Sequence, residues 1–383
     1  MPRRVCVVTG ARSEYGLIRP LLASLLADSA FELKLIATGM HLSPEFGLTY
    51  RGIEADGFKL DAKVEMLLSS DTAVGAAKSL ALAVAGMAEA FDRLQPDIII
   101  LVGDRYETLA AAQAALLARI PVAHLFGGDV TEGAVDDAIR HSITKMSHLH
   151  FVSTEKAARR VRQLGENPES IHNVGSIGID GLFLTPRLSR AEVEEKLGFR
   201  LRLYNLLVTF HPVTLEPDSA RQLGQLLEAL SRLKDDFGII FTLPNADVAG
   251  REMASDIQMY AASRSNCTVH AALGSQLYAS TMSVVDAVVG NSSSGLYEAP
   301  SLKKPTVNIG NRQLGREQAA SVLNCPPEAD AIEKTIHAAL AMDCRNVVNP
   351  YGDGRATERI VACLKQDFSR DLLVKKCFFD LPE

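Results

Sequence analysis

The stretch Ile98-Ile99-Ile100-Leu101-Val102-Gly103-Asp104-Arg105 decides the fold. Five consecutive apolar, mostly β-branched residues read as a strand buried on both faces, and Gly103 ends it. Helical patterns flank it at 72–94 and 107–118. Similar short apolar runs occur at 5–9, 33–38, 122–125, 150–152 and 171–174. After a polar segment over 175–202 comes a second set at 206–209, 238–242, 267–270, 287–289 and 306–309. Continuous apolar strands separated by helices predict parallel sheets covered on both faces. The expectation is an α/β chain of two Rossmann-like doubly wound domains with an interdomain cleft, the boundary falling near Gly175. In such sheets ligands bind beyond the carboxyl ends of the strands, so the loops after strands carry the candidate chemistry.

Composition sets the limits. A chain of 383 residues fits two domains. With 47% hydrophobic and 22% charged residues it matches ordinary globular usage, against a disordered, collagen-like or disulfide-scaffold class. A net charge of −6 argues against general nucleic-acid binding, which needs a basic face, but leaves room for a small-anion site. Without Trp and with 6% aromatics, readings based on stacking sugars or single strands lose support. Six scattered Cys, none in a C-x-x-C pair, read as reduced thiols rather than a metal cluster or disulfide framework. The N-terminal apolar run is too short for a signal peptide. No stretch approaches the roughly 18 apolar residues of a membrane span. A cytoplasmic protein with no membrane partner is the expectation.

Five loops stand out. The first strand runs into Gly10-Ala11-Arg12-Ser13-Glu14-Tyr15-Gly16, a turn at a helix N-terminus where Arg12 suits an anion. It is not G-x-G-x-x-G, so the dinucleotide fingerprint is missing. Gly103-Asp104-Arg105 offers an acid/base group and a phosphate partner, or simply an ion pair. His124-Leu125-Phe126-Gly127-Gly128-Asp129 follows another strand, and Asp136-Asp137 opens a helix, where capping alone also explains acids. Asp104, Asp129 and Asp136 follow consecutive strands, and converging carboxylates suit proton transfer. A metal there lacks His and Cys ligands at the required spacing. His211 ends the first strand of the second set. Gly290-Asn291-Ser292-Ser293-Ser294-Gly295 opens a helix whose hydroxyls and backbone N–H groups suit a pyrophosphate, with Glu298 placed to accept from ribose hydroxyls.

Taken together, these residues resemble the hydrolysing UDP-N-acetylglucosamine 2-epimerases of sialic-acid-type sugar biosynthesis. The carriers are the Gly10-to-Gly16 turn, Thr38-Gly39-Met40-His41, Gly103-Asp104-Arg105-Tyr106-Glu107, Asp136 to Lys145, Phe210-His211-Pro212, Gly290 to Gly295, and Asn308 to Gln313 with Arg316. The resemblance implies two Rossmann-like domains of the GT-B kind, 1–174 and 175–355, with the C-terminal helix, 356–383, returning to the first. It implies a UDP-sugar substrate, no cofactor, and a homodimer or homotetramer built through long helices such as the apolar 74–90 pattern.

The implied reaction removes the C2 proton of the sugar while UDP leaves C1. Water then adds to the 2-acetamidoglucal, giving N-acetylmannosamine and UDP. Motif by motif, the resemblance makes Asp104 and Asp136 acid/base groups and His211 a stabiliser of the leaving group. Arg12, Ser292, Ser293, Glu298 and Arg312 fall at UDP-binding positions with Ser294 beside them, and Arg105 and Asn245 neighbour the ligand. One departure matters: many members carry H-x-E-G-G where this chain has Phe126, and some bacterial members carry His there. Asp129 is the nearest acid to take over. An apolar residue at this point also suits a 6-deoxy sugar, which brings in UDP-2,4-diacetamido-2,4,6-trideoxyglucose of legionaminic acid biosynthesis as an alternative substrate. A non-hydrolysing epimerase, a GT-B glycosyltransferase and a non-catalytic UDP-sugar-binding protein are the rival readings.

Overall fold

The computed structural model describes residues 1–70, 72–131, 135–212, 218–244, 248–367 and 370–381. The chain separates into two compact units, Met1–Gly181 with Tyr351–Glu383, and Leu182–Pro350.

The first unit holds strands β1 (Arg3–Thr9), β2 (Phe31–Thr38), β3 (Ala62–Val64), β4 (Ile98–Val102), β5 (Val122–Leu125), β6 (Leu149–Val152) and β7 (Ile171–Asn173). They form one sheet in the order β3-β2-β1-β4-β5-β6-β7, every pair parallel. Val7 of β1 lies opposite Leu35 on one side and Ile100 on the other. Alternate residues feed two cores. Val5, Val7, Ile98 and Ile100 join one cluster, while Cys6, Val8, Ile99 and Leu101 join the other. Burial on both faces is why these strands read as unbroken apolar runs.

The chain winds outward from β1 to β3 and then crosses back to β4. Loops leaving β1 and β4 therefore diverge, which opens a crevice at their carboxyl ends. Helix Ala356–Leu364 returns to this unit and places Ala356, Ile360 and Leu364 in the β1 core. Asp180 fixes its start by accepting from Ala356 N (3.0 Å) and Thr357 N (2.5 Å), where the helix dipole favours a carboxylate. Ile177 joins the same core, so this unit runs on past Gly175 to Gly181.

The second unit holds β8 (Tyr204–Thr209), β9 (Phe237–Thr242), β10 (Cys267–His270), β11 (Ala287–Gly290), β12 (Thr306–Ile309) and β13 (Val322–Cys325). Their order is β10-β9-β8-β11-β12-β13, again all parallel, with the switch point between β8 and β11.

One expectation needs correction. Helix Ala73–Leu94 is by length and composition long and apolar enough to cross a membrane, contrary to the sequence analysis. Its many alanines meet the criterion although its large side chains are few. Thr72 caps it by accepting from Gly75 N, and its buried stripe of Ser79, Ala83, Met87, Ala90 and Phe91 packs against β3 and helix Tyr106–Leu117.

Candidate active site

The two switch points gather most of the residues singled out in the sequence. In the first unit Arg12 is exposed at the first position of helix Arg12–Ala27, whose N-cap, Ala11, supplies no side-chain acceptor. Gly10 N donates instead to Oε2 of buried Glu14 (2.7 Å). Across the crevice the Arg105 Nε donates to Glu107 Oε1 (2.5 Å), and its Nη2 lies 3.4 Å from the Met40 sulfur. Glu107 is 1% exposed. It fits only because Gly10 is bare: a Cβ there would come within 2.5 Å of the Glu107 side chain.

Asp104 is held by Arg140, which donates to its Oδ2 from Nη2. The same guanidinium donates to Thr131 Oγ1 (2.9 Å), the Asp129 carbonyl (2.9 Å) and Asp137 Oδ1 (3.2 Å). One buried arginine thus joins the loops after β4 and β5 to the start of helix Val135–Met146. His124 supports the arrangement from below. Its Nε2 donates to the Gly103 carbonyl (2.7 Å), which leaves Nδ1 to accept from Thr144 Oγ1 (3.1 Å). Burial pushes the His124 imidazole down to about 3, so it stays neutral and serves as a strut.

Asp129 receives the Ser153 hydroxyl on both carboxylate oxygens, at 3.0 and 3.3 Å. Asp136 is half-buried and makes no hydrogen bond or ion pair among the described residues. Its neighbour Asp137 is engaged, since Asp137 Oδ1 accepts from Thr131 N (2.8 Å). Phe126 adopts φ +67°, a left-handed conformation that a bulky side chain rarely takes, and its ring packs against the β1 core.

In the second unit Asn291, fully buried, is the hub. Its side chain brackets the His211 main chain, accepting from His211 N (2.7 Å) and donating to His211 O (2.8 Å). Its own carbonyl accepts from Arg312 Nη1 (3.0 Å) and Gln313 Nε2 (2.7 Å). Gly290, at φ +131°, makes the approach between β11 and β8 possible, since a Cβ would lie 1.9 Å from the Thr209 carbonyl oxygen.

The serine run opens a short helix. Ser294–Tyr297 is a single turn. Its hydroxyls form a chain: Tyr278 OH lies 2.6 Å from Ser294 Oγ, which lies 3.2 Å from Ser292 Oγ. Ser293 is half-buried at the N-cap without a side-chain hydrogen bond to the turn. These groups border an open cleft of about 360 Å³ lined by Thr209, Thr242, Leu273, Tyr278, Ser292 and Ser294. Glu298 ends the turn, and loss of solvent pushes its carboxyl up to about 7, opposed by Arg187. Arg187 Nη1 is buried without a hydrogen-bond partner. Asn245 lies outside the described residues.

Among the described residues no group of His, Cys, Asp and Glu is arranged to hold a metal ion. Arg140, Asn291, Gln313, Tyr278 and Arg187 have roles here that their place in the sequence does not announce. The first three stand inside quoted motifs, but what they do depends on partners distant in the chain.

Comparison with known proteins gives the family and the fold. Residues 23–365 match the family model for UDP-N-acetylglucosamine 2-epimerase. A GDP/UDP-N,N'-diacetylbacillosamine 2-epimerase (hydrolyzing) of Campylobacter jejuni is 39% identical over 99% of each chain. The polysialic acid biosynthesis protein P7 of Escherichia coli is 36% identical over 100% of this chain and 98% of its own. A UDP-N,N'-diacetylbacillosamine 2-epimerase (hydrolyzing) of Legionella pneumophila is 34% identical over 98% and 99%. Among solved structures, a UDP-N-acetylglucosamine 2-epimerase from Listeria monocytogenes superposes with a TM-score of 0.80 at 20% identity, covering 95% of this chain and 96% of its own, which shows the shared fold. The chain belongs to the UDP-N-acetylglucosamine 2-epimerase family, and it is an enzyme of the UDP-sugar 2-epimerase class.

Proposed function

We propose that this chain is a hydrolysing 2-epimerase of UDP-2-acetamido sugars, and that its preferred substrate is UDP-2,4-diacetamido-2,4,6-trideoxyglucose, the sugar nucleotide also called UDP-N,N'-diacetylbacillosamine. The observation that carries the reaction type is the Arg140 clamp, which brings Asp104 and the Asp129–Thr131 loop to the helix that bears Asp136. Two relatives at 39% and 34% identity named for diacetylbacillosamine support the substrate, as does Phe126 in place of a proton-transferring side chain. UDP-N-acetylglucosamine, the substrate first implied by the resemblance, is the second reading.

In the proposed mechanism Asp104, paired with Arg140, is the base that takes the C2 proton. The C1–O bond to UDP breaks in the same event, and a C1=C2 double bond forms. Positive charge on Arg12, Arg105 and Arg312, with His211, stabilises the departing diphosphate. Ser292, Ser293, Ser294 and Glu298 hold the nucleotide. Water directed by Asp129 then bonds to C1 and gives its second proton to the Asp129 carboxylate, while the uncommitted Asp136 gives a proton to C2 from the opposite face. Free sugar of inverted C2 configuration and UDP leave. Arg140 fixes where the Asp104 carboxyl points, which suits a base, and Asp136, with no hydrogen bond among the described residues, is left for the proton-giving role.

Free cysteines, four of them buried, support a reducing cytoplasm, and the exposed apolar residues Val74, Leu82, Leu116 and Leu117 support a homo-oligomer. Release of UDP from the two candidate sugar nucleotides, compared in parallel, tests the proposal. Turnover of the diacetamido sugar at the higher kcat/KM upholds it. Release from UDP-N-acetylglucosamine alone moves the substrate to the second reading, and saturable binding without release sinks the enzyme reading.

A further inference from the structure

Beneath Arg105 lie two buried carboxyl groups that the mechanism above does not use. Glu107 (1% exposed) sits in a cradle of main chain, because a Cβ on Gly10 would meet it at 2.5 Å and one on Gly39 would lie 3.2 Å from its Oε1. Glu14 (8% exposed) reaches the same spot from helix Arg12–Ala27. Glu107 Oε1 accepts from Arg105 Nε, and Glu14 Oε1 lies 3.8 Å from that nitrogen. The remaining Glu107 Oε2 and the Glu14 Oε1 are buried with no hydrogen-bond partner. Arg105, itself partly open to solvent, therefore faces two acids that are shut off from it. Both acids ionised would leave the group with one excess negative charge at a place meant to receive an anion. Of the surrounding groups, His41 is neutral, its imidazole pushed down to about 4 by burial. Gly10 contributes only its N–H, and Asp104 is engaged by Arg140.

We propose that Glu107 and Glu14 form a carboxyl pair that governs Arg105: Glu107 fixes the direction of its guanidinium, and Glu14 takes up a proton when the Arg105 terminal amino groups engage the diphosphate of a UDP-sugar. The proposal rests on the UDP-sugar reading above. It makes Glu107 a positioning residue and Glu14 the proton store that keeps Arg105 attractive to anions. Burial, and then repulsion by Glu107, push the Glu14 carboxyl up to about 7, which places this exchange in the neutral range.

The test is calorimetric binding of UDP-glucose, whose diphosphate diester does not titrate between pH 6 and 9. The wild-type dissociation constant rises about fivefold or more from pH 6 to 8.5, a typical size for coupled binding. In Glu14→Gln, which mimics the protonated acid, it stays within about twofold across that range. Glu107→Ala weakens binding about tenfold at every pH, and Glu107→Gln, which still accepts from Arg105 Nε, restores much of it. The wild-type protein alone also decides, through heats measured at pH 7.5 in HEPES and in Tris, where proton uptake on binding is expected. Binding without pH dependence or proton uptake overturns the carboxyl-pair proposal and leaves the substrate reading intact. No binding of UDP-glucose at all contradicts the UDP-sugar reading and this inference with it.

Discussion

Asn291 grips the main chain of His211 from both sides, accepting its N–H at 2.7 Å and donating to its carbonyl at 2.8 Å. The buried amide thereby sets where the His211 side chain starts, at the switch point between β8 and β11. The Asn291 carbonyl in turn ties down Arg312 and Gln313, so a single residue organises two loops.

Asn291→Ala strips both groups from His211 and leaves buried polar atoms unpaired, at about 1–3 kcal/mol each. The expected result is a thermal midpoint several degrees lower together with a kcat loss of about 100-fold, the scale of an ångström's misplacement. Asn291→Asp keeps the acceptor and loses the donor, so its kcat should lie between the two. Steady-state rates at a temperature where all three are folded check the order.

Arg140 serves Asp104, Thr131, Asp137 and the Asp129 carbonyl at once. A lysine cannot reproduce that fork. Arg140→Lys is therefore expected to lose about 100-fold or more in kcat, the size of a general acid–base contribution, with KM nearly unchanged. A Lys variant within about threefold of wild type would remove the clamp from the account.

Phe126 holds a left-handed conformation and faces the β1 core with part of its ring. Phe126→His introduces a proton-transferring group where some relatives of the resembled family carry one. The ratio of kcat/KM for UDP-N-acetylglucosamine over the diacetamido sugar should rise about tenfold, the scale of a small change in pocket chemistry. An unchanged ratio means that Phe126 does not govern substrate choice.

His124 stays neutral in the folded chain because burial pushes it down to about 3. In the unfolded chain the same imidazole takes a proton below about 6.5. Stability from this residue is thus complete above pH 6.5 and drains as pH falls towards 3. Glu14 and Glu298, both pushed up to about 7, work in the opposite sense, so the useful comparison is with a variant. The stability gap between wild type and His124→Gln should shrink by about 1.4 kcal/mol per pH unit from pH 6 to 4. Urea midpoints at three pH values read it, and a constant gap would show that the strut is not held neutral.

Much of the fold was legible because the central strands are apolar on both faces. Ile98–Val102, Val122–Leu125 and Thr306–Ile309 have the bounds their runs suggest. Two edge strands escaped. Ala62–Val64 is three residues with Lys63 exposed between buried neighbours, and Val322–Cys325 carries exposed Asn324. Edge strands need less apolar surface, so their runs are too weak to stand out. At the site, strand-end loops announced Arg12, Asp104, Asp129, His211 and the Ser292–Ser294 run by their position. Asn291, Glu14 and Glu107 stand in or just after the same loops, and Arg140 on the helix after β5, but position alone does not show what they do. Their importance lies in burial and in hydrogen bonds spanning 36 residues for Arg140 with Asp104 and 80 for Asn291 with His211, which no local pattern encodes. The serine run opens a helix as its capping residues suggest, and Ala299-Pro300 keeps that α-turn to Ser294–Tyr297.

The central claim is that the enzyme inverts C2 by removing its proton and returns a free sugar. Incubation with UDP-2,4-diacetamido-2,4,6-trideoxyglucose in D2O, followed by proton NMR, tests it most directly. The account predicts free UDP and a reducing sugar of inverted C2 configuration with deuterium at C2. Hydrolysis that leaves the C2 proton in place, with the configuration retained, would contradict it.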